Sequence, residues 1–519
     1  MPATTRPARS LRPLALPLTL ALAALACGGN DGFQASSPLA NRCAAPRSGT
    51  DPFTGQRYPD ARGTLDDEKR WLKSYMDALY LWYSEIPAVD PAAYESITGT
   101  NGYFEALKTK AVTASGKPKD AFSFTLDTSS WEAQSVAGVE AGYGIRWVLL
   151  ANRPPRDIVV AQIEPGSPAA KAGVVRGLHV ATVDGTAVVD GDPAPLNAGL
   201  FPAKASESHT IVFQDAAGTP ASQTPVTLTS ADITMTPVGT VGASGPFAST
   251  IPTASGTVGY LLFNDHNAPS EAQLVSAITQ LRSAAVTDLV LDMRYNGGGF
   301  LDIASELAYM IAGGTSTTGK VFERLAFNAK TPEGQNPVTG GSNAPTPFHT
   351  TTQGFSPGAR VFLPTLNLRL ARVFVITSGN TCSASESVLN GLRGVGVAVN
   401  LIGGTTCGKP YGFYPQDNCG TTYFAIQFQG VNAAGFGDYA DGFVPGGSGP
   451  SGAPGCVVAD DFAHALGDPA EGRLAAALAF RATGQCPAPV AAATALVAPG
   501  RSDGRVVRPA WRENRIVRR

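Results

Sequence analysis

The sequence predicts a multidomain α/β (α+β) protein, and three observations point there. Apolar residues make up 43% of the 519-residue chain, enough for several cores. Short β-prone runs broken by glycine and proline precede a longer stretch in which apolar strands alternate with amphipathic helices. A helical periodicity comes before both. The expected organisation is a signal peptide over 1–26, a tether over 27–63 and a small helical domain over 64–130. A β domain over 131–235, a large α/β unit over 236–486, and a linker with a basic tail over 487–519 complete it.

The elements follow in order. Arg6, Arg9 and Arg12 form a basic head before an apolar run over 14–26. That run is too short to span a bilayer and has the pattern of a secretory signal. It closes on Ala24-Leu25-Ala26-Cys27-Gly28-Gly29, which resembles a bacterial lipobox. The expectation is an exported chain lipidated at Cys27, hence a membrane-anchored lipoprotein at a periplasmic or cell surface. An ordinary signal peptide with a stray cysteine is the alternative.

Thr64 is placed to cap a helix, with Asp66, Asp67 and Glu68 suited to its N-terminus. Trp71, Leu72, Tyr75, Leu79 and Trp82 then recur at helical steps, as a core-facing stripe does. A second amphipathic stretch covers 103–112. In the β domain, strands are expected at 144–148, 158–163, 179–183, 210–213 and 226–228. The α/β unit should carry strands at 258–263, 286–293 and 372–377, with helices at 270–284, 301–311 and 383–392. Residues 313–360 look like a loop-rich insertion over one face. The tail over 501–519 is expected to be solvated and disordered.

The chemistry lies in three motifs of the α/β unit. The first is Ser378-Gly379-Asn380-Thr381-Cys382-Ser383-Ala384-Ser385-Glu386 and the second Thr405-Thr406-Cys407-Gly408-Lys409. A serine hydroxyl becomes a nucleophile when a base takes its proton, and a lysine held uncharged can be that base. The third, Asp292-Met293-Arg294-Tyr295-Asn296-Gly297-Gly298-Gly299, can supply backbone N–H groups to an oxyanion. Competing readings are weaker. Gly403 and Gly408-Lys409 mimic a phosphate loop, but Pro410 stands where Ser or Thr should hold magnesium. Asp265-His266 and Asp461 with His464 lack a nucleophile elbow beside a serine and suit structural or surface roles. Asp292 and Arg294 suit a structural ion pair. Ser385 and Glu386 suit the first turn of a helix, Glu386 being favoured there by the dipole. Cys382 has no neighbouring histidine to activate it.

Setting Cys27 aside, six cysteines remain of the seven. An even number in an exported chain favours disulfides, whose connectivity spacing alone does not fix. The shortest loops point to Cys407–Cys419 and Cys456–Cys486. No C-x-x-C pair suggests a metal site.

Two resemblances follow from these residues. Glu164-Pro165-Gly166-Ser167-Pro168-Ala169-Ala170-Lys171-Ala172-Gly173 with Val183-Asp184-Gly185 resembles a PDZ domain, and Gly142, Tyr143, Gly144 and Ile145 would then form its carboxylate-binding loop. The three motifs and this segment, in their order, resemble the carboxyl-terminal processing (tail-specific) serine peptidases. Asp460-Asp461-Phe462-Ala463-His464 with Leu466-Gly467-Asp468-Pro469 is similar to the end of one subgroup. The resemblance implies a peptidase core of the ClpP/crotonase-like type, with Ser383 as nucleophile and Lys409 as base. It also implies oxyanion donors at the Gly299 and Ala384 N–H groups. It departs from the family at Phe413, where many relatives place a polar residue that orients the lysine; Gln416 is the substitute to consider. The implied function is an extracytoplasmic endopeptidase that captures free protein C-termini and needs no cofactor or metal. Its partners would be protein or peptide substrates and, through the lipid anchor, a membrane. The net charge of −2 gives no case for nucleic acid. The alternative is a catalytically weak or inactive surface-anchored PDZ module that binds peptides.

Overall fold

Period-two alternation along the strands of the α/β unit divides one sheet between two cores. The sheet runs Ser249–Thr253, Gly256–Leu262, Asp288–Asp292, Arg372–Thr377, Ala398–Gly403, Gly455–Val457. The first two strands are antiparallel, and every later neighbour is parallel. Parallel neighbours need crossovers, which the helices Ser270–Ser283, Leu301–Thr317 and Ala384–Gly394 provide. Leu261, Leu289, Leu291, Val373, Val375 and Leu401 face those helices. Their sequence neighbours Tyr260, Leu262, Val290, Phe374, Ile376 and Ile402 point the other way, onto the helix Gly472–Thr483. This is the mixed α/β class expected from the sequence.

The computed structural model describes residues 36–488 except 53, 138, 222–224, 240–247 and 369–370, together with 504–506 and 515–516. These belong to one unit, Ala35–Arg519. The expected signal peptide and Cys27 lie outside the described residues. Among the described residues no helix is long and apolar enough to cross a membrane.

The helix Leu65–Leu79 starts where expected. Thr64 Oγ1 accepts the Asp67 N–H at 3.1 Å, and Asp67 accepts the Thr64 N–H at 2.9 Å, a reciprocal capping box. Its aromatic stripe buries against later chain: Trp71 and Tyr75 pack on Tyr423, and Tyr411, Phe413, Phe424 and Ile426 join the same core. The disulfide Cys43–Cys419 fastens the segment before the helix to this cluster.

The expected Cys407–Cys419 bridge is therefore not formed; Cys407 pairs with Cys382, and Cys456–Cys486 pairs as expected. The reason is topological. Cys382 and Cys407 each lie just past the end of two adjacent parallel strands, Arg372–Thr377 and Ala398–Gly403. Cys419 sits at the tip of a hairpin between Gln416–Asn418 and Thr421–Phe424, facing the N-terminal segment.

The β-rich region carries every strand expected of it. Val226–Thr229, Ser208–Gln214, His179–Val183, Asp157–Ile163 and Ile145–Ala151 form one antiparallel sheet in that order. The edge strand Ile145–Ala151 pairs in turn with Arg505–Val506. The tail thus departs from the expectation of disorder at these residues and again at Arg515–Ile516, which pairs with Gly299–Phe300. The loop-rich expectation for 313–360 also changes. The preceding helix kinks at Gly313, where φ is 71° and ψ 168°, and a further helical stretch runs to Thr317; Val321–Phe327 pairs with Phe428–Val431. Glu323 and Arg324 interrupt the apolar alternation there, which hides the strand from a periodicity reading.

Asp292 and Arg294 form the expected structural ion pair, inside a larger buried network. Arg294 Nε donates to Asp292 at 3.0 Å, Nη1 to Asp460 and Glu471 at 2.7 Å each, and Nη2 to Asp292 at 2.8 Å and Glu471 at 2.9 Å. Arg176 of the β domain donates to Asp460 at 2.9 Å. Against its burial, the arginines hold the Asp460 carboxyl far below the usual range.

Candidate active site

The three motifs share one structural address. Each follows the C-terminal end of a parallel strand: Asp288–Asp292 leads to Gly297–Gly299, Arg372–Thr377 to Ser383, and Ala398–Gly403 to Lys409. These strands are immediate neighbours in the sheet, so loops far apart in sequence emerge side by side. Crevices at the C-terminal ends of parallel strands are the usual ligand sites of such sheets.

Ser383 occupies an unusual backbone conformation, φ 58° and ψ −116°, directly before the helix Ala384–Gly394. A residue with a Cβ seldom holds a positive φ. Here the surroundings enforce it. The Cys382 N–H donates to Asn296 O at 3.0 Å, and Ser385 Oγ donates to the same carbonyl at 3.1 Å. The Ser383 side chain is fully buried, and its Oγ has no hydrogen-bond partner among the described residues. As the first residue of the helix, Ala384 has an N–H with no acceptor inside that helix.

The glycine run passes against this point. A Cβ on Gly298 would fall 2.8 Å from Ala384 N and 2.9 Å from Ser383 Cβ, and Gly298 has φ +106°. Only glycine lets the chain approach the Ser383 loop this closely. Gly299, with φ +135°, would similarly press on His266. The His266 N–H donates to Gly298 O at 3.1 Å, and the Phe300 N–H to His266 O at 2.8 Å. His266 is therefore a buried support for this strand and not a surface group. Burial pushes its imidazole down to about 3, so the ring is neutral. Asn296 Oδ1 accepts the Gly298 N–H at 3.0 Å and lies 3.0 Å from His266 Nδ1. Those contacts assign the proton to Nδ1 and leave Nε2 as a buried acceptor without a partner among the described residues.

Lys409 is fully buried. Its Nζ lies 5.1 Å from the centroid of Phe122 and 4.9 Å from that of Phe413, within cation–π range. Phe413, at the position where a polar orienting residue was looked for, packs with Phe124 and Phe424 and presents its ring to the lysine. Gln416 lies in the hairpin strand, its amide donating to Asp417 O at 3.2 Å.

One residue joins the two loops, and sequence reasoning missed its role. The buried Glu386 carboxylate accepts the Ser383 N–H at 3.0 Å, the Lys409 N–H at 2.8 Å, the Gly408 N–H at 2.9 Å and the Thr406 hydroxyl at 2.6 Å. Burial pushes its carboxyl up, while these donors pull it back. The available signal was the Ser-x-x-Glu spacing of a capping box. The carboxylate half of that box is formed; the Ser383 hydroxyl stays outside hydrogen-bond geometry. The Cys382–Cys407 disulfide adds a covalent link between the same loops.

The expected carboxylate-binding loop lies at the start of the β-domain edge strand. Gly142 ends the strand Val139–Gly142, and Ile145 begins Ile145–Ala151. Tyr143 is buried with its hydroxyl donating to Gly199 O at 2.9 Å. Gly144 has φ +75° and passes so near Ser167 that a Cβ would lie 2.3 Å from that side chain. Asp461 pairs with His464 at 2.7 Å on the surface, a structural contact as expected.

Comparison with known proteins agrees with this layout. A family model described as peptidase family S41 matches residues 257–413, and one described as the peptidase S41 N-terminal domain matches 67–124. The C-terminal processing peptidase, chloroplastic, of Tetradesmus obliquus is 32% identical over 199 residues, which cover 37% of this chain and 42% of that protein. The match thus spans less than half the length of that relative. A crystal structure from Bacteroides fragilis NCTC 9343, provisionally described as an S41 protease, superposes with a TM-score of 0.55 at 22% identity. It covers 83% of this chain and 100% of that one, a likeness of fold. Both matched stretches flank the β domain, so the chain carries peptidase S41 domains on either side of it, and with the C-terminal processing relative these support a place among the tail-specific proteases.

Proposed function

We propose that the protein is a serine endopeptidase of the carboxyl-terminal processing type, acting through Ser383 and Lys409. The observation that carries this reading is the Glu386 carboxylate, which fixes the backbones of both residues while the Ser383 hydroxyl remains uncommitted. In its uncharged form the Lys409 amine takes the Ser383 Oγ proton as the oxygen attacks a substrate carbonyl. The Gly299 and Ala384 N–H groups receive the developing oxyanion, each such donor being worth roughly 100- to 1000-fold in rate. The Lys409 ammonium then protonates the leaving amine. Water attacks the acyl-enzyme with the same amine as base, and Ser383 is restored. Gln416 is a candidate second orienting group for the lysine, beside the Phe122 and Phe413 rings. The loop Gly142, Tyr143, Gly144, Ile145 would hold a substrate's terminal carboxylate on backbone N–H groups. Export and lipidation at Cys27 would place the enzyme on a membrane surface.

Purified mature protein is tested on an unfolded substrate with a free or an amidated C-terminus. Ser383→Ala and Lys409→Ala should each lower turnover by about 10,000-fold or more, with thermal unfolding unchanged. Cleavage should rise with pH as the base loses its proton. Near-normal turnover by Lys409→Ala, or a flat profile across the neutral and alkaline range, rejects the pairing. Binding without cleavage by the unaltered protein supports the peptide-binding module instead.

A further inference from the structure

Two short stretches of the C-terminal tail pair with strands beside the candidate site. Arg505–Val506 adds antiparallel to the edge of Ile145–Ala151, with Val506 opposite Val148 and Arg505 opposite Leu149. That edge follows the Gly142–Ile145 turn, and strand addition at such an edge is how β domains of this kind take extended peptides. The fit is specific. Val506 is buried among Val148, Val159, Ala161 and Tyr295. Gly504, φ +76°, lies so close that a Cβ would fall 2.2 Å from Val148 Cγ1.

The peptidase unit grips the same stretch. Asn380, three residues before Ser383, donates its amide to Gly504 O at 3.1 Å and accepts the Val506 N–H at 2.8 Å. One side chain thus reads the backbone of an extended peptide at two points, as a neighbouring strand would. Further along, Arg515–Ile516 pairs parallel with Gly299–Phe300, the strand that holds the expected oxyanion donor. The tail therefore meets the β-domain edge, the nucleophile loop and the glycine strand in turn.

We infer that the arginine-rich C-terminal segment of this chain is an intramolecular occupant of its own substrate groove, competing with peptides that enter by the same edge. The inference rests on the peptidase reading for the groove's use but not for its occupancy. A tethered occupant acts at a high effective concentration, so releasing it should strengthen substrate capture by roughly tenfold.

The test uses the full chain carrying Val506→Asp, which places a charge in the apolar cluster, and separately Gly504→Val, which collides with Val148. A fluorescent peptide of residues 501–519 is titrated against Ser383→Ala protein with and without each tail substitution. The peptide should bind the released forms and be excluded from the parent. KM for an unfolded substrate should fall in both variants, and unlabelled tail peptide should restore it. Equal peptide binding by parent and variants, or binding by none, overturns the inference. If no form cleaves substrate but peptide binding still differs, occupancy stands and the peptidase reading fails.

Discussion

Two buried polar clusters lie past the ends of adjacent strands, and they differ in how fully they are satisfied. Around Arg294, every guanidinium nitrogen is paired, and three carboxylates surround it. Around Glu386, one carboxylate is saturated by four donors, yet the Ser383 hydroxyl it positions has no partner among the described residues. A fully paired network fixes how the parts of the chain join. An incompletely paired one, held rigid by its neighbours, keeps hydrogen-bonding capacity for a ligand. Buried polar groups are ordinarily satisfied, so the unpaired Ser383 hydroxyl sets the Glu386 cluster apart from the Arg294 one.

The largest effect expected from breaking this contrast is on stability. Arg294→Ala leaves Asp292, Asp460 and Glu471 facing one another without their shared cation. Loss of one partner from a buried ion pair costs about 3–5 kcal/mol, and a denaturant or thermal titration should read it. A loss under about 1 kcal/mol would show that water or a local shift replaces the guanidinium, and the cluster would not be the joint described.

The disulfides give a matched comparison. Cys382–Cys407 and Cys456–Cys486 close loops of similar size, with sequence separations of 25 and 30. Chain-entropy arguments give each about 3.5 kcal/mol. Replacing either pair by serine should therefore lower stability by similar amounts. Only loss of Cys382–Cys407 should also depress kcat, because it alone joins the serine and lysine loops. Equal kcat values at a temperature where both variants are folded would mean that Glu386 holds the loops unaided.

Much of this arrangement was legible in the chain. The strands at 256–262, 288–292 and 372–377 announce themselves as apolar runs, and Thr64 with Asp67 marks a helix start by composition alone. The serine, lysine and glycine motifs were visible for the same local reason. The long-range partners were not. Cys407 looks toward Cys419 in sequence but meets Cys382 in space, because parallel strand order sets that proximity. Glu386 has the spacing of an ordinary cap, and its bonds to Gly408 and Lys409 exist only once the two strands are neighbours. The pairing of the tail depends likewise on an edge that appears after the β domain folds.

Glu386→Gln sharpens the catalytic side of the contrast. An amide must turn its NH₂ toward at least one of the donors that the carboxylate accepts. A displacement of the order of 1 Å at Ser383 or Lys409 should cost roughly 100-fold in kcat. A change confined to stability, with kcat intact, would make Glu386 a structural cap. Rescue by Glu386→Asp is not expected, since the shorter side chain cannot reach both loops at once.

The smallest effect on cleavage tests whether a buried atom that receives no hydrogen bond always signals function. Glu306 Oε2 accepts no hydrogen bond among the described residues, and it lies outside the three motifs in sequence, on the helix Leu301–Thr317. Gln353 N–H donates to Glu306 at 2.8 Å and to Glu271 at 2.6 Å, so the two carboxyls share one neighbour. Burial, then the charge of Glu271, pushes Glu306 up to about 9. The folded state therefore holds a proton there that the unfolded chain releases at ordinary acidic pH. Its contribution is complete below the unfolded value and is lost as pH rises through about 9. Stability should fall across that window with a slope of up to about 1.4 kcal/mol per pH unit for this one proton. Glu306→Gln keeps the neutral shape and removes the titration, so its unfolding midpoint should depend less on pH, and its cleavage rate should match the parent. A loss of activity in this variant would mean that the Glu306 carboxyl serves the site, and that the contrast between the Arg294 and Glu386 clusters is one of degree.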